Sequence, residues 1–350
     1  MDGPRCLRPH AQLLARAVAR PATTARRGRL GSKTPVRRKS GPYGYTQAKA
    51  LVYSRHGEPA DALKLHTHSI SPSIPSSSVL VRTLAAPINP ADINTVQGTY
   101  GAKQPLTSLI GTAEPSAVPG TGRPRQRQPV LRAGLGMRPL DVGSGQWFIQ
   151  NGANSGVGRA AIQFGRLWGL RSINVVRDRE TTAETDALKR ELVALGANVV
   201  VTESQFLSRE WRDRLADITR GGREQVGLGL NCVGGKSATA LARSLGDGAA
   251  MVSYGGMARQ PVALPVGLLI FNDIRFVGFW LSRWNQQDPT GRRHMVDDIL
   301  SLIRDGKFKD VPVEEIKWDW DTQEATLRDA VQNGLQGFRK GKGLFVFGDT

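Results

Sequence analysis

Cysteine is nearly absent from this 350-residue chain: Cys6 and Cys232 are its only two, and they stand apart from one another and from any cluster of its five histidines. That scarcity excludes a disulfide framework and a structural zinc and fits a reducing compartment; no metal site is expected. Runs of about 18 apolar residues are also lacking, so neither a transmembrane helix nor stable membrane insertion is expected. Acids are outnumbered, 30 against 48 Lys and Arg, for a formal charge of +18. Such a charge ordinarily points to nucleic acid or an anionic surface. The shortage of acid is local, however. Residues 1–40 hold eleven Lys/Arg and one acid, residues 121–138 hold five arginines and none, and everything else carries only +3. The body is nearly neutral, and no nucleic-acid partner is expected.

Residues 1–40 are rich in Arg, Ala, Ser and Thr, and Ala11 to Arg20 would wind into a basic amphipathic helix. This is the composition of a mitochondrial presequence, which predicts a disordered leader and a mitochondrial matrix location. A disordered basic arm that binds RNA or lipid has a similar composition and stands as the alternative.

From Lys49 the pattern is mainly β. Ala50–Tyr53, Leu63–Thr67 and Ser78–Ala85 alternate or cluster apolar residues between turn signals, as strands do. Asp92 is a candidate N-cap for a short helix in the segment Asn89–Gly101. Tyr100 follows it and by itself reads as a half-buried packing residue. Residues 119–145 are crowded with Gly, Pro and Arg and show no sustained period, so they read as irregular. A loop of that length inside a compact enzyme is unusual.

Order returns at Trp147, where an apolar run breaks into Gly152, Gly156 and Gly158 and continues as the apolar-periodic Arg159–Trp168. A strand, a glycine turn and a helix N-terminus bring unpaired N–H groups and a positive dipole end to one point, which suits a phosphate. The G-x-x-x-G-x-G spacing is not the commoner G-x-G-x-x-G, and an ordinary strand-to-helix loop is the competing reading. Strands at 172–176, 198–201, 226–231 and 250–254 alternate with helices at 187–195, 207–218 and 237–245, predicting βαβ units and a parallel sheet. About 20 residues past the glycines, where a dinucleotide fold reads the adenosine ribose, stand Arg177, Asp178 and Arg179. Guanidinium forks match a phosphate, so NADPH is expected rather than NADH, with a solvated turn as the alternative.

With these residues in place, the chain resembles the medium-chain dehydrogenase/reductase superfamily, and within it the zinc-independent mitochondrial 2-enoyl thioester reductases. The similarity is carried by Ala85–Tyr100, Gly111–Gly120, Gln150–Gly158, Asn174–Arg179, Leu230–Gly235, Tyr254–Met257 and Gly278–Trp284. It implies an α/β fold in two parts. One is a GroES-like β-rich catalytic domain over 41–118 and 282–350; the other is a doubly wound Rossmann NADPH-binding domain over 146–281. It further implies that Asn154, Ser155, Gly156 and Val157 cradle the pyrophosphate and that Arg177 to Arg179 hold the 2′-phosphate. Tyr254, Gly255, Gly256 and Met257, with Phe279, Trp280 and Leu281, would line the cofactor, and Lys342 would touch it from the C-terminal segment. Tyr100 matches the catalytic tyrosine. Between Gly120 and the glycine turn the family's pattern is not recognisable, so the catalytic domain reads as incomplete. A frame-shifted or wrongly spliced segment explains that first, a degenerate enzyme second.

The resemblance implies NADPH-dependent reduction of trans-2-enoyl thioesters, borne on acyl carrier protein or coenzyme A, by a homodimer in mitochondrial fatty acid synthesis. Two alternatives stay open: a zeta-crystallin-like NADPH quinone reductase, and an NADPH-binding protein impaired by the missing segment.

Overall fold

A computed structural model of the chain describes residues 45–73, 76–77, 80–120, 146–335 and 341–348. The expected presequence and the irregular stretch beyond Gly120 lie outside these residues. β1 (Thr46–Val52) and β2 (Lys64–Ile70) form an antiparallel pair with Leu51 opposite Leu65, joined through the short helix α1 (Pro59–Ala62). The strand expected over Ser78–Ala85 is reduced to β3 (Ala85–Pro87). Residues 80–84 are irregular and leave Leu80, Val81 and Leu84 exposed. A strand needs a partner for its backbone groups; the C-terminal strand Lys342–Phe347 reaches only Leu84, whose carbonyl accepts from the Phe347 N–H at 3.0 Å, and among the described residues no strand lies along 80–83. In α2 (Pro90–Val96) the N-cap is Asn89, not Asp92. Asp92 sits at the third helical position and accepts from the Asn89 N–H at 2.8 Å, because Pro90 is already suited to the first turn and lacks an N–H of its own.

From Trp147 onward strands and helices alternate. The order is β4 (Trp147–Gln150), α3 (Gly156–Leu167), β5 (Arg171–Val176), α4 (Thr182–Leu195), β6 (Val199–Thr202), α5 (Glu203–Phe206), α6 (Trp211–Ile218), β7 (Val226–Asn231), α7 (Gly235–Arg243), β8 (Ala250–Ser253), α8 (Val266–Ile270) and β9 (Arg275–Gly278). The helix expected around Leu207–Ile218 is α6, which starts only at Trp211; the short α5 precedes it, with Leu207 exposed between them. α4 stops at Gly196, whose φ of +112° closes it left-handed.

The six strands are all parallel and lie in the order β6-β5-β4-β7-β8-β9, the doubly wound order. Both faces are covered, which is why the strands read as near-continuous apolar runs. Ile149, Ile173, Val201, Leu241 and Met251 fill one side; Phe148, Phe164, Leu228, Leu230 and Val252 fill the other. Phe148 and Phe164 are fully buried, each worth about 1.5–3 kcal/mol of apolar burial. The chain continues through α9 (Leu281–Gln287), α10 (Pro289–Arg304), β10 (Val313–Trp318), α11 (Glu324–Gln332) and β11 (Lys342–Phe347). α10 sends Met295 and Ile299 into the cluster with Phe148 and Phe164.

β11 runs parallel to β10 and antiparallel to β3. The end of the chain is thus stitched to its beginning. Trp318, Leu327 and Phe345 share a core with Leu51, Leu63, Ile93 and Val96. The expected architecture is present: a doubly wound α/β sheet beside a smaller β-rich part, which among the described residues has one two-stranded and one three-stranded sheet.

Candidate functional site

The sheet order reverses between β4 and β7, and the loops beyond those two strand ends meet there, as they do where open α/β sheets bind ligands. Gly152 follows β4 with φ +60°, and a Cβ on it would lie 2.5 Å from the Cys232 Sγ that follows β7. Only glycine satisfies both the backbone angle and the approach. Gly158, in the first turn of α3, packs onto the loop so closely that a Cβ would meet Ala153 backbone atoms at 2.5–2.6 Å. The Ser155 side chain caps α3 by accepting from the Gly158 N–H at 3.1 Å, worth about 1 kcal/mol. Asn154, Ser155, Gly156 and Val157 therefore form a tight turn at a helix N-terminus, above the carboxyl ends of the strands. Its geometry is that of a phosphate cradle rather than of a slack connection. Arg159 braces it from behind, donating from Nε to the Asn154 carbonyl at 3.2 Å and pairing with Glu191 at 2.8 Å.

A row of buried amides underlies the turn. Gln150 donates to the Asn174 side chain at 2.7 Å and to the Gly158 carbonyl at 3.0 Å. Asn151 donates to the Asn231 side chain at 2.9 Å, and Asn231 to the Ser253 hydroxyl at 3.0 Å. Asn151 also accepts from the Cys232 N–H at 2.8 Å. The sequence reading did not single out these groups; a polar residue ending an apolar strand, as Asn231 does, is the signal that would have found it.

The loop after β8 forms the facing wall. The N–H groups of Tyr254 and Met257 donate to the Asn231 and Cys232 carbonyls, each at 2.9 Å. Gly255 lies against Cys232, where a Cβ would come within 3.2 Å of its carbonyl oxygen, whereas Gly256 faces open space. The Tyr254 hydroxyl is buried near the Cys232 thiol and the Ser155 hydroxyl, without a partner in hydrogen-bond geometry among the described residues. Burial, reinforced by Cys232, pushes the phenol well above its usual range, and burial also pushes the Cys232 thiol up. Both remain protonated, so the phenol is a donor in search of an acceptor beside the α3 cap.

Arg177, Asp178 and Arg179 leave β5 at the same edge of the sheet. Arg177 and Asp178 are exposed and Arg179 is half-buried. Burial, followed by the charge of Arg177, lowers the Arg179 pKa, so the two cations are close. Asp178 bonds to Ser204 of α5 at 2.5 and 3.0 Å.

Tyr100 is presented by the turn after α2, its own N–H and that of Thr99 both donating to the Asn94 carbonyl. The Trp280 indole N–H, 180 residues along the chain, donates to the Tyr100 hydroxyl at 3.3 Å. Phe279 donates from its backbone to the Ser253 carbonyl at 2.9 Å and packs on the Phe148 cluster, and Leu281 opens α9. The chain thus brings Gly152, Ser155, Tyr254 and Cys232 to one point, and Tyr100 and Trp280 to a second. The Lys342 ammonium bonds to the Asn89 side-chain oxygen at the N-cap of α2. Among the described residues no group of three or more His, Cys, Asp or Glu side chains is arranged to hold a metal ion, and no helix is long and apolar enough to cross a membrane.

Residues 156–298 match the family described as zinc-binding dehydrogenase. Over 367 aligned positions the chain is 32% identical to a Schizosaccharomyces pombe protein named enoyl-acyl-carrier-protein reductase, mitochondrial; the match covers 88% of this chain and 97% of that protein. Among solved structures, a variant of Etr1p in complex with NADP and crotonyl-CoA superposes with a TM-score of 0.73 at 28% identity, covering 86% of this chain and 100% of that one. The mitochondrial 2-enoyl thioester reductase Etr1p/Etr2p heterodimer from Candida tropicalis gives a TM-score of 0.71 at 28% identity, covering 86% and 99%.

Proposed function

Because this chain belongs to the family of mitochondrial enoyl-acyl-carrier-protein reductases, we propose that it reduces trans-2-enoyl thioesters, carried on acyl carrier protein or coenzyme A, to saturated acyl thioesters with NADPH in the mitochondrial matrix. The observation that carries the reading is the 3.3 Å contact between the Trp280 indole and the Tyr100 hydroxyl. It joins the Tyr100 phenol to the segment leaving β9, at the carboxyl end of the parallel sheet.

The residues present fit the cofactor. The cradle of Gly152 and Gly158 has no room for a Cβ, the buried Tyr254 hydroxyl finds no partner in hydrogen-bond geometry among the described residues, and Arg177 with Arg179 suits a 2′-phosphate. Asn154 to Val157 would hold the pyrophosphate, Gly255 to Met257 with Phe279 to Leu281 would line the nicotinamide half, and Lys342 would approach from β11. When bound, NADPH supplies a hydride for C3 of the enoyl thioester. Tyr100 stabilises the charge that then gathers on the thioester oxygen by donating a hydrogen bond, or delivers the proton that C2 takes up. Trp280 orients that hydroxyl by donating to it, which leaves the phenolic proton for the substrate.

The catalytic part comprises residues 41–118 and the C-terminal return. The nucleotide part is expected from the sequence to end near 281; the burial of Met295 and Ile299 of α10 against the sheet supports a proposed boundary beyond α10 instead. A homodimer is the assembly proposed, since Val266, Leu269, Ile270 and Phe271 are exposed together close to β9, the last strand of the sheet.

A second reading has an observation of its own. Leu80, Val81, Leu84 and Leu109 are exposed in the part that bears Tyr100, which favours a chain that binds NADPH without completing catalysis. Purified protein assayed for NADPH consumption with crotonyl and hexenoyl thioesters, and with a quinone, separates the readings. Thioester turnover well above quinone turnover is expected; tight NADPH binding without thioester reduction would select the second reading, and preferential quinone turnover would reject both.

A further inference from the structure

At the end of β5 stands a chemical conflict. A dinucleotide fold reads the adenosine ribose at this position, where a carboxylate accepts from a free 2′-hydroxyl and repels a 2′-phosphate, while guanidinium groups favour the phosphate. This chain carries both, with Asp178 between Arg177 and Arg179. An acid free to face the ribose would oppose the cofactor that its neighbours attract.

The carboxylate is engaged elsewhere. The Ser204 backbone N–H donates to one Asp178 oxygen at 3.0 Å, and the Ser204 hydroxyl donates to the other at 2.5 Å. Ser204 is itself held in place. Thr202 caps α5 in a reciprocal pair with Gln205, and its hydroxyl lies 2.9 Å from that of Ser204. β6 ends at Thr202 and pairs with β5, Thr202 lying opposite Val176, so the acid and its holder ride on neighbouring strands. Burial raises the Asp178 pKa and hydrogen bonds lower it, those from Ser204 first and one from the Thr202 side chain after them, with a net lowering; the group is an anion whose two oxygens are each satisfied.

We propose that Ser204 is a specificity-determining residue, which sets the preference for a 2′-phosphorylated cofactor by holding the Asp178 carboxylate against α5 and away from the ribose. The inference rests on the reading of this strand end as part of an NADPH site. Ser204 touches neither the arginines' proposed ligand nor the reacting atoms. It acts by removing a competitor.

Binding of 2′,5′-ADP and of 5′-AMP to the full chain, measured by calorimetry, tests the latch without catalysis. The wild-type chain is expected to prefer 2′,5′-ADP. In Ser204→Ala that preference falls about tenfold, the factor corresponding to one charge-assisted hydrogen bond of ordinary strength, with 2′,5′-ADP weakened and 5′-AMP unchanged or improved. Adding Asp178→Asn restores the preference, because no charge is left to release. If Ser204→Ala melts like the wild type and keeps its preference, the latch is overturned and the arginine site stands. Equal weakening of both nucleotides also overturns it, leaving Ser204 a structural role. A wild-type chain that binds the two nucleotides equally overturns the phosphate site and the latch together.

Discussion

The Arg259 guanidinium donates to the Gln97 side-chain oxygen at 3.0 Å, across 162 residues of sequence. Gln97 in turn donates to both carboxylate oxygens of Glu58 at 3.0 Å. Arg259 adopts a left-handed φ of +53°, uncommon for a side-chain-bearing residue, in a turn pinned by the Met257 and Ala258 N–H groups to the Cys232 and Val233 carbonyls. The contact therefore fastens the wall of the nucleotide cradle to the turn that presents Tyr100. Arg259→Ala is expected to lower kcat by about three- to tenfold, the net worth of one solvent-exposed hydrogen bond, with NADPH affinity unchanged and Arg259→Lys recovering part. Amide exchange at Thr99 and Tyr100 in the cofactor-free chain should quicken; an unaltered exchange rate would make the contact incidental.

Tyr100→Phe removes the hydroxyl that Trp280 meets and nothing else. Turnover of crotonyl thioester is expected to fall by about two orders of magnitude, the lower end of what a positioned proton donor contributes. NADPH titration of the same variant should match the wild type, which separates a role in the reaction from one in cofactor binding.

Replacing Arg177 and Arg179 together by Ala is expected to weaken NADPH at least about tenfold while NADH changes little, since charge-assisted bonds to a phosphate are among the stronger polar contacts. Equal losses for the two cofactors, measured by direct titration, would remove the arginines from the 2′-phosphate.

Gly158→Ala places a methyl group 2.5–2.6 Å from the Ala153 backbone, whereas a methyl at Gly256 meets nothing within 4 Å. The first should lose about 1–3 kcal/mol by overpacking and lose NADPH affinity with it. Gly256→Ala should melt like the wild type. Paired thermal melts decide the matter, and equal melting temperatures would contradict the described turn.

The Arg159–Glu191 pair gives a pH signature. The hydrogen bond from Arg159 acts first on Glu191, and the carboxyl pKa is lowered on folding. A lowered folded value means that the pair's stabilisation is present above the unfolded Glu value of about 4.3 and is lost as pH falls through the folded one. The melting-temperature gap between wild type and Glu191→Gln should be small, because Glu191 is nearly half exposed, and should close as pH drops below about 4.3. A gap that widens on acidification would reverse the sign.

What was legible in the sequence was local. The glycine turn, the alternating strands and helices, and the stop at Gly196 depend on residues adjacent in the chain, and each is found where expected within a few positions. Asn89 displaced Asp92 as the cap because capping is decided by which side chain precedes the helix, and Pro90 moves that point forward. The strand over Ser78–Ala85 failed for a non-local reason: its alternation is present in the residues, but the partner strand ends opposite Leu84, whose carbonyl accepts from Phe347, and among the described residues no strand lies along 80–83 to complete it. The site divides the same way. Gly152, Gly156 and Gly158 marked the turn by their spacing and the family resemblance pointed to Asn154 to Val157 within it, while Ser204, Cys232 and Arg259 act through partners 26 to 162 residues away, which no window on the sequence captures.

The buried amides beneath the glycine turn have a consequence for assembly. Gln150, Asn151, Asn174 and Asn231 bond across neighbouring strands at full burial. A parallel strand that slid by one residue would turn its amide toward apolar packing and leave it and its partner dry and unpaired, each at a cost of about 1–3 kcal/mol. The ladder therefore works as a vernier, accepting one alignment of β5, β4 and β7 and penalising the rest. The nucleotide-binding half thus carries its own check on correct assembly, and that check draws on no residue before Trp147.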